Sequence, residues 1–213
     1  MSVLRTMAGR LSVFGCVMLL LAACVSGQSG QGSAEGAGPG GAAVTESGIE
    51  KLELGSVEEM VAGAPLAAKY DNIVIASFDA DEQISRDYPN AASECELQIV
   101  RQLKSKNSYK NVTEDDTKRF PGKTAVVSLK IVEMRITSSA ARMWGGVFAG
   151  SSSMEVLLQI RDAGSDAVLH EKILSTSNSA WAASYTGGSS DASLPSDFGI
   201  LIGEYLSKVI PAK

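Results

Sequence analysis

The residues that could perform chemistry in this sequence are few, and none stands in a recognisable catalytic or metal-binding arrangement. The single histidine, His170, falls on a predicted strand beside Glu171 and Lys172, with no second metal ligand in view. The sequence contains no G-x-S-x-G, paired-histidine, C-x-x-C or H-E-x-x-H pattern, each of which would indicate a nucleophile or a metal site. We therefore predict that the protein is not an enzyme and has no catalytic residue, no metal site and no cofactor.

Two glycine-containing stretches resemble nucleotide-binding loops but lack the required context. Gly36, Gly38 and Gly41 fit G-x-G-x-x-G, yet no predicted strand precedes them and no predicted helix follows. Residues 120–124 match the end of a phosphate-binding loop, but Thr117 stands where the first glycine is needed. Neither stretch predicts a nucleotide site.

The first 24 residues carry the strongest signal in the sequence. Two arginines precede a largely apolar run from Leu11 to Ala23, which is shorter than the roughly 20 residues that a membrane-spanning helix needs. The run ends in Leu21-Ala22-Ala23-Cys24, which resembles the lipobox of bacterial lipoproteins. The resemblance implies that residues 1–23 are a signal peptide and that Cys24 is lipidated. An ordinary secretory peptide, cut after the two alanines, is the alternative.

The lipobox resemblance also implies a location. Two or three acyl chains on one cysteine hold a protein durably in a membrane, whereas one chain does not. Val25 follows the cysteine where lipoproteins retained in the inner membrane of enteric bacteria typically carry Asp, so we expect an anchor in the outer membrane that faces the periplasm. The inner membrane remains the alternative.

Charge and cysteine usage constrain the mature chain. The whole sequence has 19 basic and 24 acidic side chains, and removing Arg5 and Arg10 with the signal leaves 17 and 24, a net charge of −7. Nucleic acid is not expected as a partner at that charge. Cys16 is removed and Cys24 is lipidated, so Cys95 has no partner for an internal disulfide and is interpreted as a buried structural thiol.

The domain organisation follows from a change in composition. Residues 24–48 comprise the lipidated cysteine and a stretch rich in Gly, Ser and Ala, which cannot bury enough apolar surface to fold. We expect a flexible tether there. Residues 49–213 are long enough for one core and are predicted to form a single periplasmic domain.

Hydrophobic patterns predict an α/β (α+β) fold. Its sheet is expected to be mixed, largely antiparallel and built of about four or five strands, with two main helices packed on it. Gly199 and Gly203 on the last helix indicate close contact between helix and sheet. The predicted elements are a short helix over 56–63, a strand over 72–78, a helix from 89 or 93 to 106 with Ser93 and Glu96 as a capping box, a short strand near Val112, a strand from Thr124 with a bulge near Ile131, a hairpin of 154–160 and 167–177, and a helix over 198–210.

Two loops combine aromatic residues with glycine. Residues 138–153 contain Arg142, Trp144 and Phe148, and residues 178–193 contain Trp181 and Tyr185. If the three preceding strands form an antiparallel meander, both loops emerge at the same end of the sheet. The five side chains are then candidates for contact with a partner, because aromatic residues often dominate binding energy. The alternative is that the aromatic side chains fold back and cap the core.

From residue 72 to residue 210 the chain resembles the bacterial lipoprotein family called domain of unknown function 4410. The resemblance rests on an Arg-x3-Gly-x3-Gly loop, here Arg142, Gly146 and Gly150, between a strand and a hairpin that is followed by a terminal helix. Phe148 and Asp166 stand where the family often has glycine. The order of elements is also similar to TolB amino-terminal, curli-secretion lipoprotein and penicillin-binding-protein activator domains. The family has no established catalytic residues, so the resemblance implies no active site.

Together these features predict a membrane-anchored periplasmic lipoprotein that acts as a non-catalytic binding or assembly module. Its expected partners are the membrane, through the lipid, and an envelope protein or a cell-wall component. A subunit of an oligomeric secretion pore is the main alternative. A membrane hairpin needs two strands of roughly 9 to 11 alternating residues, and neither glycine-containing loop is long enough to provide one. An envelope hydrolase that uses some of the serines is less favoured.

Overall fold

A seven-stranded mixed sheet is the central feature of the fold. The structure is a computed structural model and describes residues 43–44, 48–54, 65–115, 118–137, 151–177 and 193–213. The strands are β1 (Ala43–Val44), β2 (Glu50–Glu53), β3 (Asn72–Ala80), β4 (Asn111–Thr113), β5 (Thr124–Arg135), β6 (Ser153–Asp162) and β7 (Val168–Ser177), and the helices are α1 (Glu82–Asp87), α2 (Ala91–Ser105) and α3 (Leu194–Val209).

The sheet order is β1-β2-β7-β6-β5-β3-β4. Strands β5, β6 and β7 form the antiparallel meander that was predicted, whereas β3 pairs in parallel with both β4 and β5. Strand β2 pairs in parallel with β7 and antiparallel with β1. The α/β class and the mixed sheet are thus confirmed, and the two short strands β1 and β2 raise the strand number above the four or five expected.

Strands β1 and β2 lie where the sequence did not predict strands. Ala43–Val44 fall inside the expected tether, and Glu50–Glu53 lie before the short helix that was predicted over 56–63. Both runs are too short to show an alternating pattern. Their strand structure therefore depends on pairing with other strands and not on the local sequence. The predicted helix over 56–63 lies outside the described residues.

The phase change in β5 is an irregularity of strand pairing, as predicted. Residues before it alternate between a buried and a partly exposed face. The register with β6 shifts between Ile131 and Glu133, so one extra residue on β5 moves the apolar set by one position. A bulge there lets both halves of a long strand present their apolar side chains to the same core.

Helix α2 begins two residues before the predicted capping box. Its N-cap is Asn90, and the hydroxyl of Ser93 donates to the Asn90 carbonyl at 3.0 Å. Ser93 is therefore inside the first turn and the capping-box prediction is wrong, because the helix starts at Ala91. The apolar stripe was predicted correctly, since Cys95, Ile99 and Leu103 are fully buried.

Helix α3 packs closely against α2 through its two glycines. A Cβ on Gly199 would lie 2.4 Å from the Cys95 carbonyl oxygen, and a Cβ on Gly203 would lie 2.6 Å from Gln102 Cβ. The close contact is between two helices and not between helix and sheet, so that prediction is corrected. The matching order of these contacts along both helices shows that α2 and α3 run in the same direction.

Both helices cover one face of the sheet and enclose the core. Central contributors are fully buried side chains from β3, β5, β6, α2 and α3: Ile73, Ile75, Ile131, Met154, Leu158, Ile160, Ile99, Leu103, Phe198 and Tyr205. Among the described residues, no helix is long and apolar enough to cross a membrane.

The sheet has two ends, the rim end and the base end. At the rim end, β5 and β7 finish and β6 begins, with Arg135 paired to Ser153 and Ser153 paired to Ser177. At the base end, β3 and β5 begin side by side at Asn72 and Thr124, and β6 finishes at Asp162.

Candidate functional site

The rim end holds the attachment points of both aromatic segments. The segment after β5 leaves at Thr137 and returns at Ser151, and the segment after β7 leaves at Ser177. The Thr137 amide donates to the buried Ser152 hydroxyl at 2.8 Å, which fixes the two ends of the first segment to each other. The meander therefore starts both segments at one end of the sheet, as the sequence predicted.

The five predicted contact residues themselves are not among those that the structure describes. Arg142, Trp144 and Phe148 lie in 138–150, and Trp181 and Tyr185 lie in 178–192. Cys24 also lies outside the described residues. Whether the aromatic side chains contact a partner or cap the core thus stays a prediction.

A third segment leaves from the rim end, which sequence reasoning missed. Strand β2 ends beside the end of β7, where the amide of the buried Leu54 donates to the Ser175 carbonyl at 2.8 Å. Residues 55–64 follow directly. Since β2 was not predicted as a strand, nothing in the sequence indicated that this segment starts at the same end as the two aromatic segments.

His170 forms a hydrogen bond with a buried side chain of the core. Its Nε2 lies 2.8 Å from the hydroxyl of Tyr205, which is fully buried on α3. Burial lowers the pKa of the His170 imidazole, and the charge of Lys172 lowers it further, while Glu50 opposes this effect. Within the described residues, no group of three or more His, Cys, Asp or Glu side chains is arranged to hold a metal ion.

Cys95 is a buried side chain between the two main helices. The residue is fully buried on α2, next to the contact with Gly199. Burial raises the pKa of its thiol well above the usual value, so the reactive thiolate is disfavoured. Its environment agrees with the interpretation of a structural thiol.

At the base end, a buried carboxylate and amide hold the basic segment 118–123. The carboxylate of Asp71 accepts a hydrogen bond from the Lys123 amide at 3.0 Å, and Asn72 Nδ2 donates to the Pro121 carbonyl at 3.1 Å. Lys110 lies 2.7 Å from Asp71, and its hydrogen bond lowers the pKa of that carboxyl. Asp71 is therefore charged at neutral pH and fixes the start of β3 to the segment that precedes β5.

Sequence reasoning did not single out this region. It considered 120–124 only as a phosphate-binding loop and rejected that match. The usable signal was a group of three cations, Lys118, Arg119 and Lys123, around Phe120 in a chain that is acidic overall. The polar residues that position this segment are Asp71, directly before the predicted strand, and Asn72, its first residue.

Comparison with known proteins gives a family match and several distant structural likenesses. The family model described as Domain of unknown function (DUF4410) matches residues 55–184. No curated protein matches the chain.

The similar solved structures have low sequence identity. The PelC dodecamer from Paraburkholderia phytofirmans is 15% identical, with 71% of this chain and 96% of that chain covered and a TM-score of 0.45. Protein XCC0632 from Xanthomonas campestris is 9% identical, with 70% and 84% covered and a TM-score of 0.38. The hypothetical protein CT253 from Chlamydia trachomatis is 17% identical, with 65% and 93% covered and a TM-score of 0.37.

Proposed function

This chain belongs to the DUF4410 family, and from that premise we propose that it is a non-catalytic binding or assembly module whose rim end contacts another component of the bacterial cell envelope. The partner is an envelope protein or a cell-wall component. The domain binds it through the two aromatic segments and has no catalytic role.

One observation carries this proposal, namely the pairing of Arg135 with Ser153 and of Ser153 with Ser177. It brings the starting points of 138–150 and 178–192 to one end of a sheet whose core is fully buried. Binding surfaces of this kind commonly consist of loops carried on a rigid scaffold. Tryptophan, tyrosine and arginine are the residue types most enriched among those that dominate binding energy, and these two segments contain all three.

The proposal includes an anchor upstream of the domain. Lipid on Cys24 holds the chain in the outer membrane, and the Gly- and Ser-rich stretch before β1 lets the domain reach partners away from the membrane surface. For about 20 flexible residues, the root-mean-square span is about 25 Å. The pore-subunit alternative has no support among the described residues that would favour it over binding.

The experiment that tests the proposal is photo-crosslinking in cells from position 144 or 181, followed by mass spectrometry. We expect one recurrent envelope protein or cell-wall fragment to be trapped from both positions. Position 97 is the control, because Leu97 is exposed in the middle of α2, between the two ends of the sheet. Equal trapping of the same molecule from position 97, or crosslinks only within the chain from 144 and 181, would overturn the proposal.

A further inference from the structure

Two adjoining clefts lie at the base end, away from the proposed rim contact. The first has a volume of about 580 Å³ and lies between β3, β5, the segment before β5 and the β6–β7 turn. The second, of about 540 Å³, lies between the end of α2, β4 and the same segment. Lys118 and Phe120 line both clefts, so the two lie next to each other, and together they are here called the base groove.

The base groove is rich in cations although the chain is acidic. Its walls contain two carboxylates, Asp162 and Asp166, on a chain whose net charge is −5. Such a local reversal of charge attracts anionic ligands. The six cationic side chains of its walls are Lys104, Lys110, Lys118, Arg119, Lys123 and Arg161.

Carboxylates pair with four of these cations but leave donors available. The pairs are at 2.7 to 3.4 Å, and each Lys has three N–H donors and each Arg five. Among the described residues, the buried Nε of Arg161 has no hydrogen-bond partner, although buried N–H groups are normally paired. The Arg161 side chain as a whole is 34% exposed, so its guanidinium group can reach an anionic group in the first cleft.

The floor of the first cleft is apolar. Val74 pairs with Val126, and Val126 pairs with Arg161, so two valines and the arginine form a row across β3, β5 and β6. Phe120 stands between the two clefts. This combination suits a ligand with flat apolar faces and repeated negative groups, since an aromatic ring packs against the C–H face of a sugar while the cations bind its carboxylates.

The groove walls are held in place before any ligand binds. Asp71 and Asn72 fix the basic segment 118–123, as described above, and Asp162 accepts hydrogen bonds from the amides of Gly164 and Ser165 at 2.9 and 3.1 Å. Asp162 also lies 3.4 Å from Lys123, which links the two walls. A site whose walls are already ordered loses less entropy on binding.

From these observations we propose that the base groove binds an acidic oligosaccharide, with Phe120 against a sugar ring and Lys118, Lys123 and Arg161 at its carboxylates. The second cleft extends the site along the same chain through Lys104 and Lys110. This site is separate from the proposed partner contact at the rim end, and binding involves no covalent step.

Isothermal titration calorimetry on the purified full-length chain tests this, with octagalacturonate as the acidic probe and maltooctaose as a neutral probe of equal length. We expect octagalacturonate to bind, maltooctaose not to bind, and the affinity for octagalacturonate to fall as salt is added. Absence of octagalacturonate binding at low ionic strength, or equal binding of maltooctaose, would overturn the proposal. A single-stranded oligothymidylate that binds as tightly would also overturn it, because the groove would then recognise charge without the sugar.

A matched pair of variants locates the site. Lys123 directly precedes β5, and Lys130 lies within it. Their side chains are 46% and 48% exposed, and each lysine pairs with one aspartate. We expect Lys123→Ala to weaken octagalacturonate binding about tenfold, the loss of roughly one charge-assisted contact, and Lys130→Ala to change it less than about twofold. Equal effects would contradict the assignment. If Lys123→Ala unfolds the protein, Phe120→Ala and Arg161→Gln serve instead with the same expected loss.

Discussion

The contact between α2 and α3 gives the sharpest test of the fold. Replacing Gly199 by Ala places a methyl group 2.4 Å from the Cys95 carbonyl oxygen and 2.9 Å from Gln98 Cβ, whereas ordinary van der Waals contact begins at 3.4 Å. The first of these contacts is with backbone, which no side-chain rotation can relieve. The two helices must therefore move apart or shift along each other.

The sign of the stability change separates two effects. Alanine is favoured over glycine inside a helix by about 1 kcal/mol, so without the clash Gly199→Ala would stabilise the protein. Forcing an extra carbon into a packed core typically costs about 1 to 3 kcal/mol, and a contact 1.0 Å too short with backbone belongs at the upper end. We expect a net loss of about 2 kcal/mol. Gly203→Ala, with its contact to Gln102 Cβ at 2.6 Å, should also destabilise.

Urea unfolding followed by circular dichroism measures this change. We expect a lower midpoint and an unchanged dependence on urea concentration. Ser196→Ala is the control, because it lies half-buried in the same helix and adds no atom, and it should change stability by less than about 0.5 kcal/mol. A Gly199→Ala protein as stable as the wild type, or more stable, would refute the close packing of α2 against α3.

Three further predictions concern single side chains. Cys95 should react with a thiol reagent only when the protein unfolds, because burial raises its pKa and hides it; rapid reaction of native protein would contradict this. The pKa of His170 is lowered in the folded state, so its contribution to stability is fully present above about pH 6.5 and is lost as the pH falls through its folded pKa. Urea unfolding at about pH 7 and about pH 6 should show this loss in the wild type and not in His170→Gln. Lys172 and Glu50, the charged residues that act on His170, are present in both proteins, so the difference between the two proteins is due to His170. Cys24→Ser should move the protein from the membrane fraction to the soluble periplasmic fraction, and unchanged membrane association would refute lipidation at Cys24.

The long elements of the fold were predictable because each carries its own pattern. Strand β3 is a short apolar run, β5 alternates with one phase change, and α2 has a periodic apolar stripe. What sequence periodicity did not reveal was pairing between distant segments. Strands β1 and β2 have two and four residues, and their place in the sheet depends on the edge that β7 presents.

The glycines of α3 show a second limit of sequence reasoning. Their spacing correctly predicted a close approach, but a pattern on one helix does not say which neighbour approaches it. Since α2 and α3 lie on the same face of the sheet, either helix or sheet could have been that neighbour. The antiparallel meander was predicted correctly, because its three strands are consecutive in the sequence. This meander determines where the two aromatic segments begin.

The base groove was not predictable, because its parts come from distant places in the sequence. Arg161 reaches the first cleft because β6 pairs with β5, and the segment 118–123 is fixed by Asp71 and Asn72 at the start of β3. Each of these cations looks like ordinary surface charge in the sequence. These cations lie close together because of the order of the strands in the sheet, and hydrophobic patterns in the sequence do not predict that order.

The rim end and the base groove should act independently. Strand β6 has ten residues and connects the two ends, which at about 3.3 Å per residue are about 30 Å apart. Charge at the base is screened over about 10 Å at moderate salt, so its removal changes little at the rim. Coupling would instead need an element with two arrangements, and every second side chain of β6, the strand that connects the two ends, is buried in the core. Lys123→Ala should therefore leave crosslinking from position 144 unchanged, and a loss of that crosslink in a folded variant would mean that both ends contribute to one binding surface.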